Sequence, residues 1–215
     1  MAIEVARRTV LGIAAAELRL AAEVVRRLDG GPPAGSTAPV SDGLRRTRDF
    51  LRHVRTSPAM SAEHGRHLGV LHALDHLDRL AEALDEPPPR GTVDGDGALD
   101  MRRSVVSLLT ETERWLRDGG PAPDPPLEAR SREMAEHRRS RRAETLALAA
   151  SGDLDPDRAL ERLEGLRWLD RLVYHTWRSA YHLTVPDDER IDDGGEVHPD
   201  PEHPPESTPG KRWSR

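Results

Sequence analysis

Apolar positions along this chain recur every three or four residues, and they do so in six separate stretches. In the first, Leu11, Ala14, Leu18, Ala21, Val25 and Leu28 step by 3, 4, 3, 4 and 3, which lays one continuous seam along a helix. The third stretch offers Leu71, Leu74, Leu77, Ala81 and Leu84. The fourth offers Val105, Leu108, Thr112 and Leu116, and the sixth Leu163, Leu166, Leu169, Val173 and Trp177. Proline punctuates this pattern, because it breaks helix interiors but is welcome in a first turn. The 12 prolines before residue 186 leave six helical segments, at roughly 2–29, 41–56, 58–85, 97–118, 126–151 and 155–184. Ser57-Pro58 and Asp155-Pro156 read as helix starts with a capping side chain. Gly30-Gly31 and Gly119-Gly120 read as stops.

A single register then relates the two halves. Arg7-Arg8-Thr9-Val10 matches Arg102-Arg103-Ser104-Val105. Arg46-Thr47-Arg48-Asp49-Phe50-Leu51 matches Arg141-Arg142-Ala143-Glu144-Thr145-Leu146. Leu71, Leu74, Asp75 and Leu77 match Leu166, Leu169, Asp170 and Leu172. All three matches share an offset of 95 residues. One common offset across three segments in the same order points to duplication. The expected architecture is all-α: two tandem three-helix bundles, 1–85 and 98–184, joined by a Pro-, Gly- and Asp-rich linker at 86–97. Residues 185–215 are poor in apolar side chains and rich in proline and acid. That composition cannot offset its own ordering entropy, so a disordered tail is expected.

Composition narrows the function more than the fold. Aromatic residues are 3% of the 215 and charged residues 33%, so the core must be mostly Leu, Val and Ala, which suits helices. There is no cysteine, which removes disulfides and thiolate catalysis and is compatible with a cytoplasmic location. The net charge of −6 lies mostly after residue 185, where nine acids face four bases. The body is therefore close to neutral and lacks the basic footprint of a nucleic-acid binder. No apolar run is long enough to span a membrane. Arg7-Arg8 precedes an apolar stretch that Glu17 ends too early for an export signal. Lys211 is the only lysine, which we read as genomic codon bias rather than function.

The sharpest local chemistry is His72-Ala73-Leu74-Asp75-His76-Leu77-Asp78. His72 and His76 are one turn apart on one helix face, with Asp75 and Asp78 beside them. Imidazole and carboxylate on one face suit a divalent metal or an anion, and equally a solvated polar face. The 95-residue register makes Asp75 and Asp170 equivalent, either as ligands or as partners of arginines across the bundle. Tyr174, Trp177 and Tyr181 step along the last helix and read as core-filling rings. His175 and His182, seven apart, read as one polar edge. No nucleophile elbow and no phosphate-cradling glycine loop is present.

Six helices in two tandem three-helix units, with an acid at one site of each third helix, resemble the PhoU family. The resemblance is closest to the PhoU-like region at the cytoplasmic end of bacterial sodium/phosphate cotransporters. The segments that carry it are Leu71-His72-Ala73-Leu74-Asp75-His76-Leu77-Asp78-Arg79-Leu80 and Leu166-Arg167-Trp168-Leu169-Asp170-Arg171-Leu172-Val173-Tyr174-His175, with Glu17-Leu18-Arg19-Leu20-Ala21 in the first helix. The likeness covers residues 3–184. It implies a non-catalytic module that regulates phosphate transport and phosphate-responsive signalling by contacting a transporter or a sensor kinase, and that can form homodimers. It also implies metal clusters held by an acid-x-x-x-Asp motif on each third helix. Here Asp75 and Asp170 fill the first positions, but Arg79 and Tyr174 fill the second, with Asp78 one residue early and His175 nearby. The resemblance therefore implies a module without a full cluster, working through its surface. Two rivals stand beside it: a metal-dependent helical-bundle enzyme using His72, Asp75, His76 and Asp78, and an interaction scaffold unrelated to phosphate.

Overall fold

The computed structural model describes residues 1–28, 35–56, 61–89, 92 and 98–185. Among them the only regular elements are six helices: α1 (Ala2–Arg26), α2 (Ala38–Leu51), α3 (Ser61–Asp85), α4 (Ala98–Asp118), α5 (Leu127–Ser151) and α6 (Pro156–Thr184). The all-helical expectation holds. The expected stop at Gly30-Gly31, the Ser57-Pro58 start and the tail beyond residue 185 lie outside the described residues, as does most of the 86–97 linker.

Local chemistry sets four of the boundaries. The Asp155 carboxylate accepts from the backbone N–H of Asp157 (3.0 Å) and Arg158 (3.2 Å), and so satisfies two of the donors orphaned at the start of α6. Gly119 (φ 74°) and Gly120 (φ 95°) close α4 in the left-handed region that side chains disfavour, and Gly152 (φ 81°) does the same for α5. α2 departs from the expected 41–56. It starts at Ala38, because Pro39 fits the first turn, where its missing N–H costs nothing, and it ends at Leu51.

The seam of α1 is buried from Ala14 onward, with Ala14, Leu18, Ala21 and Val25 each at 0% exposure; at its start Val10, also at 0%, takes the core position and Leu11 is half-buried. Leu74, Leu77 and Leu80 of α3 and Leu169 and Leu172 of α6 are equally enclosed. These side chains belong to one apolar cluster that draws on all six helices, so the two units share a core. The most extensive packing is α1 on α4 and α3 on α6, between equivalent helices of the two units rather than inside either. α3 and α6 run antiparallel: His72 meets His182, His76 meets His175, and the Trp168 indole donates to the Ala83 carbonyl at 2.6 Å. α5 lies along α6 and stands off from α4. The cleft left there, about 550 Å³, is spanned by Arg130, which reaches Glu111 at 2.6 Å.

Candidate functional site

The antiparallel pairing of α3 and α6 assembles four histidines. His72 and His76 project one turn apart from α3, and His175 and His182 two turns apart from α6. His72 stacks on His182 with ring centroids 4.9 Å apart and planes 21° apart. His76 stacks on the same ring at 5.7 Å and 12°. His76 also lies 5.4 Å from His175, and the two Nδ1 atoms form a hydrogen bond of 3.1 Å. Tyr174 meets His76 and His175 edge-on, and Tyr181 meets His182 the same way.

An Nδ1–Nδ1 hydrogen bond needs one donor and one acceptor, so at least one of its two rings is neutral. Burial pushes the His76 pKa down to about 4. The positive charges of Arg178, His72 and Arg79 act in the same direction and Asp75 opposes them. His76 is therefore an uncharged ring at neutral pH. Arg178 lies over the Trp177 and Tyr181 rings at 5.4 and 5.7 Å, which keeps its cation at the rim of the cluster.

The carboxylates expected beside these histidines are held elsewhere. Asp75 is exposed and pairs with Arg79 of its own helix at 3.2 Å. Arg79 is the residue at the second motif position, so a cation occupies the space where a second acid would stand. Asp78 is engaged by Arg48 of α2. Asp170 is 1% exposed and pairs with Arg138 of α5 at 2.8 Å. Burial raises its pKa to about 6 against the opposing pull of Arg138 and Arg139. Of the expected set, then, only His72 and His76 come together, around His182. Asp75, Asp78 and Asp170 each answer a different arginine. The in-plane lone pairs of stacked imidazoles run side by side rather than towards one point. Among the described residues no three His, Asp or Glu side chains are disposed to hold a metal ion.

Tyr174 and Trp177 are buried in the shared core, as their spacing suggested, while Tyr181 packs against it half-buried. Glu17, which in the sequence reads as the end of an apolar stretch, is instead enclosed by the fold. Its side chain is fully buried in α1, with neither carboxylate oxygen hydrogen-bonded among the described residues. Burial raises its pKa well above the usual carboxylate range, and the charge of Asp78 adds to the rise. The signal was available in its position, three residues after Ala14 and four before Ala21, on the core face of the first seam.

No family model matches this chain, and neither does any curated protein or solved structure.

Proposed function

We propose that this chain is a non-catalytic, PhoU-like helical module that acts through its surface on phosphate transport or phosphate-responsive signalling in the cytoplasm. Its partner would be a transporter or a sensor kinase, with self-association as a further property of the resemblance. The observation that favours a metal-free form of this reading is the fate of the three acids. Asp75, Asp78 and Asp170 are each neutralised by an arginine, from the same helix or a neighbouring one. Carboxylates paired in this way are poor ligands, because a metal must first displace the guanidinium. The close packing of the two third helices also fits a rigid module that presents helix faces better than a bundle that opens around a substrate.

The test has two arms. Purified protein is analysed for iron, zinc and manganese. Stoichiometric metal that is lost in Asp75→Ala would overturn the metal-free reading and favour the helical-bundle enzyme. Separately, the tagged chain is crosslinked in phosphate-limited cells and its partners are identified. Recovery of a phosphate transporter or its sensor kinase supports the proposal. Recovery of only unrelated proteins, with phosphate uptake unchanged on gene deletion, rejects it in favour of the scaffold.

A further inference from the structure

Away from the histidines, one cleft collects cations. α4 turns Val105, Leu108 and Leu116 into the core. Its opposite face, through Arg103, Val106, Ser107, Thr110 and Arg114, borders a cleft of about 620 Å³ beside the last turn of α1. That volume suits a small-molecule ligand. Arg26, Arg102, Arg103 and Arg114 line it, against one carboxylate, Glu111.

The single acid is already engaged. Glu111 accepts from the Ser107 hydroxyl and from Arg130, at 2.6 Å, a residue outside the cleft. Arg102 forms the floor. It is 6% exposed, and its guanidinium donates to the Val25 carbonyl at 3.2 Å, which anchors it near the C-terminal end of α1. Arg26 donates to the Thr110 hydroxyl at 3.1 Å and leaves that hydroxyl's own proton available to a ligand. Arg103 pairs with Asp100 at 3.2 Å, but the two side chains are 78% and 80% exposed. Such a bridge is weak in water and easily exchanged for a better anion. Leu99, 51% exposed, and Val106 add an apolar shelf within the same cleft.

Four guanidinium groups around one volume outnumber the two carboxylates near them, Glu111 and the solvent-exposed Asp100. They match an anion with more oxygens and more charge. We propose that the α1–α4 cleft binds a small phosphoryl-bearing anion. Arg26, Arg103 and Arg114 take its oxygens, the Thr110 hydroxyl donates to it, and any organic part rests on Leu99 and Val106. The proposal does not depend on the regulatory reading, since it concerns only this cleft and its ligand.

Isothermal titration of the purified chain with inorganic phosphate, ATP and sulfate, at low ionic strength and at about 0.15 M salt, tests it. Saturable binding of one phosphate or one ATP per chain, stronger than sulfate, is expected. If ATP binds at least tenfold tighter than phosphate, the occupant is a phosphorylated metabolite. If the two are equal, or phosphate is tighter, the occupant is free phosphate. The variant Arg26→Ala/Arg114→Ala should weaken binding at least tenfold, while Arg52→Ala, on the α2 side and outside the cleft, should bind as the parent does. Matching helical circular dichroism and melting curves establish that the variants are folded. Absence of saturable binding for both phosphoryl probes, equal affinity for sulfate, or an unaffected double variant overturns the proposal.

Discussion

Replacing Glu17 by leucine should make this protein more stable at neutral pH and flatten part of its pH dependence. The carboxyl is at 0% exposure, has no hydrogen-bond partner among the described residues, and feels a like charge from Asp78. A buried polar group without a hydrogen bond costs about 1–3 kcal/mol in proteins. An apolar side chain of similar size removes that cost. A gain of about 2 kcal/mol would raise Tm by about 4–8 °C in a domain of this size. The pH dependence has a definite sign. With its pKa raised in the folded state, Glu17 stays protonated there after the unfolded chain has lost that proton. Its contribution is most favourable below the ordinary carboxyl value of 4.5 and is lost as pH rises towards the folded value. Urea denaturation of parent and Glu17→Leu between pH 4 and pH 8 should show curves that converge in acid and separate at neutral pH. Glu17→Gln, which keeps the shape and loses the charge, should show the same flattening with a smaller gain. Parallel curves, or a leucine variant less stable than the parent at pH 8, would refute the reasoning.

Three further outcomes can be measured on the same instruments. Arg138→Met leaves the Asp170 carboxylate buried without its 2.8 Å partner and should cost about 3–5 kcal/mol at pH 8. The loss should shrink near pH 5, below the raised pKa of about 6, where Asp170 takes a proton. The depressed His76 pKa means that the folded state resists protonation, so this residue's contribution is full above pH 6.5 and is lost as pH falls towards about 4. His76→Phe should therefore remove up to about 3 kcal/mol of acid sensitivity, read from urea midpoints at pH 7 and pH 4. Asp155→Ala should cost about 1 kcal/mol, seen as a Tm drop of about 2–4 °C, through loss of two capping bonds at the start of α6.

Features governed by near neighbours in the chain are legible in the sequence alone. The six helices follow from the period of the apolar residues, and the Asp155 cap and the Gly119-Gly120 stop from chemistry within one turn. The candidate sites depend on facts that period alone does not carry. His72 and His76 announce a shared face, but which helix covers that face is open in the sequence. α6 covers it antiparallel, and this turns the His175–His182 edge into the other half of the cluster. Asp75 and Asp170 occupy one register and look interchangeable in sequence, yet one is exposed and the other enclosed. Unequal cover accounts for this. The 25 residues of α5 lie along α6, whereas the 14 residues of α2 screen less of α3. Glu17 is misplaced by the sequence because an acid at the end of an apolar run reads as a return to solvent. The seam in fact continues beneath it.

The heavier packing of α1 on α4 and of α3 on α6 has a consequence for symmetry. Each three-helix unit finds its largest partner surface on the matching helices of the other unit, which is the geometry of a self-complementary dimer written into one chain. Half of this protein would expose the faces of α1 and α3 that the other half now covers. It would have to find a second copy of itself to hide them. Carrying both halves in one chain removes the dependence of that encounter on concentration, and equivalent places in the two halves can hold residues in different surroundings. The buried Asp170 and the exposed Asp75 are such a pair.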